Sequence, residues 1–272
     1  MAIVFLGGGR MTSALLAGLH LADFKERIIV HDRNAHKLRA LKNRFGVAVE
    51  SDLQRAVEKA RLLIVAVRPS NVADVLKAIR EGARPGVRGK KMERGVIACS
   101  LAAGIPLAKL KSQLGPPVRW ARAMPSPVAR TRRGLTAVTF QRSLTKSSRK
   151  KIKDFFAQFS TVLEIPENKF DAFTVSYSSS HGYHALSVLA TAAQKLGLDR
   201  KTAYVAGAHA LADGIWSWRE EDVSLEFLLH EAATPGGIAA TVMRTMDAAG
   251  YPKAVEKGLR AGVARARKNA RG

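Results

Sequence analysis

The sequence predicts an α/β chain in two parts: a mostly parallel sheet with crossover helices over residues 1–165, then an all-helical part over 166–272. Three observations lead there. Short apolar runs alternate with segments of helical spacing through the first part. No convincing strand follows "IPENKFDAF", and the first strand runs into the first helix through a cluster of glycines.

The elements follow in order. "AIVFL" (Ala2–Leu6), "RIIVH" (Arg27–His31), "LLIVAV" (Leu62–Val67), "GVIACS" (Gly95–Ser100) and "VRWARA" (Val118–Ala123) read as strands. Between the first four lie helical patterns at Met11–Ala22, Ala35–Arg44 and Asn71–Arg80. "LTAVTF" (Leu135–Phe140) and "TVLEI" (Thr161–Ile165) add strands around a basic helix, Lys146–Phe159. From Asp171 onward four or five helices are expected, and the division between the parts falls near Pro166. Asp199 is placed to cap "KTAYVAGAHALADGIWSW", whose small residues on successive turns allow close helix packing, including packing between two chains. The tail "RARKNARG" reads as a fraying basic helix end.

Composition narrows the classes. With 272 residues, 47% of them hydrophobic, the chain can bury substantial cores, which argues against disorder. Cys99 is the only cysteine, so no internal disulfide forms. The opening "MAIVFLGGGR" lacks the basic region and the apolar length of a signal peptide, and no run is long enough to span a bilayer. A cytoplasmic location is the expectation. The net charge is +23, and from Arg94 to Lys153 there are 14 Lys and Arg with no Asp or Glu. Such a field favours anionic partners. Nucleic acid is one, although aromatic interleaving and zinc-finger spacing are missing; a phosphate-bearing cofactor and a carboxylate substrate are others. A merely solvated basic surface is the alternative.

Two stretches carry chemistry. In "FLGGGRMTSALLAGL", Gly7, Gly9 and Thr12 occupy the G-x-G-x-x-G/A positions, with Gly8, Arg10 and Met11 between them, in the strand–turn–helix setting a dinucleotide pyrophosphate requires. A glycine turn used only for packing is the other reading. Strand two ends in "HDRNAHK": Asp32 suits the ribose hydroxyls of NAD, whereas Arg33, Asn34 and Lys37 suit the 2′-phosphate of NADP, with Asp32 turned away. The basic residues favour NADP, with NAD possible. In "AATPGGIAAT", Thr234 is read as an N-cap and Pro235 as the first helical residue, while Gly236 and Gly237 leave the amides before Ile238 unshielded. Such a helix start attracts anions.

Six motifs in order and spacing resemble those of pyrroline-5-carboxylate reductase. "FLGGGRM" is joined by "VAVRPSNVADVL", similar to the family's A-V-K-P segment, and by "CSLAAGIPLAKL", similar to S-x-A-A-G-(V/I). "RAMPSPVARTRRGLT" resembles R-x-M-P-N-T-P, "DAFTVSYSSSHGY" resembles D-A-(V)-T-x-x-S-G-S-G-P-A-Y, and "TPGG" resembles S-P-G-G-(A/T)-T. The resemblance implies a Rossmann-type domain followed by an all-α dimerisation domain interlocked with a second subunit, and hydride transfer from NAD(P)H to a cyclic imine to give proline, with no metal. It implies that Ala66, Val67, Arg68 and Pro69, together with Ala102, Ala103 and Gly104, line the dinucleotide. Met124 and Pro125 would shape the pocket wall, Thr234 to Ile238 would hold the substrate carboxylate, and Ser179 and Tyr183 fall on the serine and tyrosine of the helical-domain motif.

The departures lie on the substrate side. Ser126, Pro127 and Val128 replace asparagine, threonine and proline, and Ala239 replaces a threonine expected near the ring nitrogen, with Thr241 a helical step too far round. His181, in a proline position, is a candidate proton donor beside Ser179 and Tyr183, with His184 and a purely structural role as the alternatives. Two further readings stand: a reductase of another small anionic imine or oxo acid, and a non-catalytic dinucleotide- or nucleic-acid-binding protein.

Overall fold

The computed structural model describes residues 1–82 and 95–271; Arg94, where the acid-free stretch begins, lies outside them. Two compact units emerge, Met1–Tyr177 together with the residues from Gly262 onward, and Ser178–Ala261.

The first unit is built on an eight-stranded sheet: β1 (Ala2–Leu6), β2 (Ile28–His31), β3 (Ala48–Glu50), β4 (Ala60–Val65), β5 (Ile97–Ser100), β6 (Arg119–Pro125), β7 (Gly134–Phe140) and β8 (Ser160–Glu164). Their order is β3-β2-β1-β4-β5-β6-β7-β8, parallel everywhere except between β6 and β7. All seven strands expected from sequence are present, and β3 is added; at three residues it is too short to show a period. Helices α1 (Arg10–Leu21), α2 (Ala35–Phe45), α3 (Leu53–Glu58), α4 (Val72–Gly82), α5 (Leu107–Gln113) and α6 (Lys146–Ala157) connect them, and α7 (Phe170–Ser176) follows β8. Side chains start several helices: Asn34 accepts from the His36 and Lys37 amides at α2, and Asp52 and Thr145 do the same work at α3 and α6.

Alternation along β1 shows how both sheet faces are filled. Ile3 and Phe5 point into a core with Leu15, Leu19, Phe155, Phe156 and Phe159, while Val4 and Leu6 point into a second with Leu63, Val65, Leu76, Ile79 and Trp120. A sheet covered on both faces needs strands that are apolar throughout, as "AIVFL" and "LLIV" are.

In the second unit, α8 (Ser179–Lys195), α9 (Arg200–Glu220), α10 (Leu225–Ala232) and α11 (Ile238–Ala248) are followed by α12 (Tyr251–Arg271), whose residues from Gly262 belong to the first unit. Six helices therefore start from Phe170 onward rather than four or five; the seven-residue α7 and eight-residue α10 are too short to stand out by periodicity. Asp199 caps α9 as expected, through the Lys201 and Thr202 amides. Gly207 lets α9 approach α8, since a Cβ there would stand 3.1 Å from Leu186. Within Ser178–Ala261 only Ala190, Ala203 and Gly207 are fully buried, whereas Trp216, Phe227, Leu229 and Val242 are each about half exposed. So much uncovered apolar surface marks an interface.

Candidate functional site

β1 lies between β2 and β4, so the chain's direction of travel across the sheet reverses beside it. A crevice at the carboxyl ends of the strands is where an open α/β sheet binds ligands. Gly7 leaves β1 with φ +106° and donates its N–H to the His31 carbonyl at 2.8 Å; a Cβ there would stand 2.8 Å from the Ala66 carbonyl oxygen. Both facts require glycine. Gly9 is different: its φ is −81°, open to any residue, and a Cβ would meet no atom within 4 Å. The space above Gly9 is therefore empty of protein. Gly9 also caps α1 without any side-chain hydrogen bond, and the first helical bond is Ser13 N–H to the Gly9 carbonyl, which leaves the amides of Arg10, Met11 and Thr12 outside the helix ladder. Thr12 occupies the third motif position fully buried, its hydroxyl bonded to the Gly7 carbonyl. This cradle fits a pyrophosphate: free amides, a positive dipole end and backbone that a ligand can approach.

Asp32 is turned inward, as the NADP reading required. One carboxylate oxygen accepts from the Gly8 amide at 2.7 Å and the other from the Asn34 amide at 2.8 Å. Its lone pairs brace the glycine loop. Arg33 is exposed next to it, and Lys37 stands 3.9 Å from the carboxylate. The Asn34 side-chain oxygen is committed to capping α2, so only its NH2 group remains for a ligand.

The other predicted cofactor residues leave neighbouring strands. Ala66 N–H donates to the Leu6 carbonyl and Leu101 N–H to the Val65 carbonyl, which carries Ala66–Pro69 and Ala102–Gly104 out beside the glycine loop's end of the sheet. Met124 is half-buried on β6, two residues beyond Arg122. Arg122 is a residue the sequence reading passed over. Its side chain is 2% exposed and bonds Glu167 at 2.9 Å and Asp171 at 3.1 Å, with its guanidinium 4.5 Å from the Phe170 ring centre. An Arg among small and apolar strand residues, followed by two acids four apart beyond an acid-free stretch, was the available signal.

In the helical unit, Thr234 to Gly237 form a tight turn rather than the start of a helix. The Gly237 N–H donates to the Thr234 carbonyl at 2.9 Å, Pro235 fixes the second position, and Gly236 has φ +78° in the third, the pattern of a type II turn. A residue with positive φ cannot be helical, so the expectation of Thr234 as N-cap and Pro235 as first helical residue is corrected: α11 begins at Ile238 with Gly237 as its cap and no side chain closing it. Its first internal bond is Thr241 N–H to the Gly237 carbonyl, leaving the Ile238, Ala239 and Ala240 amides outside the ladder. The Thr241 hydroxyl is spent on that same carbonyl at 3.0 Å, so it does not replace the hydroxyl missing at Ala239. Ile238 is 87% exposed, so this start is open.

Ser178 caps α8 through the Ser180 amide. Ser179 and Tyr183, four apart, share one helix face, and Tyr183 is exposed rather than a core aromatic. His181 is two residues from each and faces another side, so the structure does not bring it together with that pair.

Cys99 is wholly buried in β5, and burial pushes its thiol far up, which leaves no nucleophile there. Among the described residues no group of three His, Cys, Asp or Glu side chains could hold a metal, and no helix is long and apolar enough to cross a membrane. The acid-free stretch is partly neutralised in space: besides Arg122, Lys150 pairs with Asp154, and Arg149 and Lys153 pair with Glu164.

Comparison with known proteins agrees with this division of labour. Residues 2–87 match the family described as "NADP oxidoreductase coenzyme F420-dependent", and residues 167–269 match "Pyrroline-5-carboxylate reductase dimerisation". A pyrroline-5-carboxylate reductase of Mycobacterium tuberculosis is 29% identical, covering 97% of this chain and 95% of the relative. The solved pyrroline-5-carboxylate reductase of Coxiella burnetii superposes with a TM-score of 0.85 at 22% identity, covering 98% of each chain. That of Plasmodium falciparum, with NADP bound, gives 0.85 at 18% identity over 99% of this chain and 98% of the other.

Proposed function

Because the chain belongs to the pyrroline-5-carboxylate reductase family, by relatives along nearly its whole length and by the dimerisation model over residues 167–269, we propose that it transfers a hydride from NADPH to the C=N bond of pyrroline-5-carboxylate, giving proline. One observation carries the reading. Asn34, Asp52, Thr145, Ser178, Asp199 and Ser224 each close a helix start with a side chain, but α1 and α11 start on Gly9 and Gly237 with none. α5 and α7 also lack a capping side chain, yet their first amides are taken, Leu107 N–H by the Glu167 carboxylate and Phe170 N–H by the Glu167 carbonyl. The open starts of α1 and α11 suit two anions, a pyrophosphate and a carboxylate.

The roles follow from the chemistry of each group. The backbone from Gly9 to Met11 takes the pyrophosphate, with Gly8 tied to Asp32, which holds the loop; Arg33 and Lys37, with the Asn34 NH2 group, take the 2′-phosphate. Ala66–Pro69, Ala102–Gly104 and Met124 line the nicotinamide, which supplies the hydride when bound. The turn Thr234–Gly237 and the amides after it hold the substrate carboxylate and thereby orient the imine carbon, and positioning is most of what this reaction asks of the protein. Ser179 and Tyr183 serve the ring nitrogen. Residues 1–165, joined by the end of α12, are the cofactor part and the rest of 166–272 the substrate and assembly part, and the chain works in the cytoplasm as a homodimer or a higher homo-oligomer.

Ala239 supports a second reading, in which the substrate is another small anionic cyclic imine or oxo acid. Following NADPH absorbance with pyrroline-5-carboxylate and a panel of such compounds separates the two. Under the first reading pyrroline-5-carboxylate is the best of the panel, and Ala239→Thr raises kcat/KM for it by about 3- to 10-fold, the worth of one hydrogen bond. No turnover of any member with NADPH or NADH removes both.

A further inference from the structure

The last turns of α12 were expected to fray; instead they are docked. A Cβ on Gly104, which has φ +76°, would stand 2.1 Å from the Ala266 carbonyl oxygen, so glycine is needed there to admit the helix backbone. Ala266 is buried at that contact. The Asn269 side-chain NH2 donates to the Ala103 carbonyl at 3.2 Å, and the Lys109 ammonium donates to the Ala270 carbonyl at 2.7 Å. On the other side of the same loop, the Leu107 amide donates to Glu167 at 2.9 Å, and Glu167 is the partner of buried Arg122.

From this geometry we propose that the end of α12 is a brace for the Ala102–Gly104 loop, and that Asn269 is a positioning residue for hydride transfer. The proposal rests on the reading that this loop lines the nicotinamide. The loop has no side chain larger than a methyl between Ala102 and Gly104, and of these only the Ala102 methyl packs into the core, so Ala103 and Gly104 have no side chain of their own to anchor them there. Its carbonyl at Ala103 is held by the Asn269 donor. The brace is assembled from residues more than 160 positions apart in sequence, so it fixes the loop without stiffening the glycine loop that follows β1.

The test uses full-length wild type, Asn269→Ala, Asn269→Asp and Asn269→Gln. Three quantities are read: kcat with pyrroline-5-carboxylate, affinities for NADPH and for adenosine 2′,5′-bisphosphate, and amide hydrogen exchange at Ala102–Ile105. Asn269→Ala and Asn269→Asp are expected to lower kcat by about 3- to 10-fold and to speed exchange in the loop, while affinity for the bisphosphate, which fills only the adenosine half of the site, stays unchanged. Asn269→Gln, which keeps the donor, restores part of the loss. Unchanged exchange in Asn269→Ala overturns the proposal. So does an equal loss of affinity for both ligands together with a lower melting temperature, which is what a merely structural residue gives. If wild type fails to reduce pyrroline-5-carboxylate, the reductase reading falls by itself, and loop exchange with the NADPH-to-bisphosphate affinity ratio still decides the brace.

Discussion

Gly9→Ala separates a ligand cradle from a packing turn. At φ −81° alanine is unstrained, and its methyl would meet no protein atom within 4 Å, so the folded state loses only the preference for glycine over alanine at an N-cap. Reduced freedom in the unfolded chain offsets that loss, and stability should change by less than about 1 kcal/mol. The cost falls on the cofactor instead: a methyl forced against a closely held pyrophosphate, like overpacking in a filled core, costs about 1–3 kcal/mol, or about 5- to 150-fold in NADPH affinity. Gly7→Ala is the control, with φ +106° and a methyl 2.8 Å from a backbone carbonyl; it should destabilise the protein by about 2 kcal/mol or more. Thermal melts and NADPH titrations of the two variants read both effects. If Gly9→Ala binds NADPH as tightly as wild type, nothing occupies the space above that glycine, and the cradle argument fails.

Three further outcomes are expected. Arg122→Met strands Glu167 and Asp171 without their cation, and because both carboxylates are partly exposed the loss should be about 2–4 kcal/mol in urea unfolding; an effect below about 1 kcal/mol would show the pairs to be idle. Cys99 should ignore thiol reagents in the native protein and react once per chain after denaturation, and fast native labelling would contradict its burial. Asp199 has its carboxyl held below the usual range by the Thr202 hydroxyl and by the Thr202 and Lys201 amides. A depressed folded value means a contribution that is full above the unfolded pKa of about 4 and lost as pH falls through the folded one, so Asp199→Asn should flatten the acid limb of stability; an unchanged limb would refute it.

How much was legible depended on whether a feature is local. The strands announced themselves because a sheet buried on both faces needs continuous apolar runs, and the glycine loop because its constraints act within six residues. Short elements such as β3 and α10 stayed hidden, since three to eight residues cannot display a period. At Thr234–Gly237 the residues suit an early helix start, and the positive φ of Gly236 makes them a type II turn instead. Arg122 with Glu167 and Asp171, and Asn269 with Ala103, join residues 45 to 166 positions apart, a distance at which one sequence read alone has no pairing signal.

The helical unit bears on how the molecule survives dilution. A bundle that encloses two alanines and one glycine, while leaving two tryptophans and a phenylalanine in contact with water, has almost no free energy of folding to call its own. On the proposed reading that a second copy covers this surface, the melting point should climb with protein concentration, since mass action then sets how often that cover is in place.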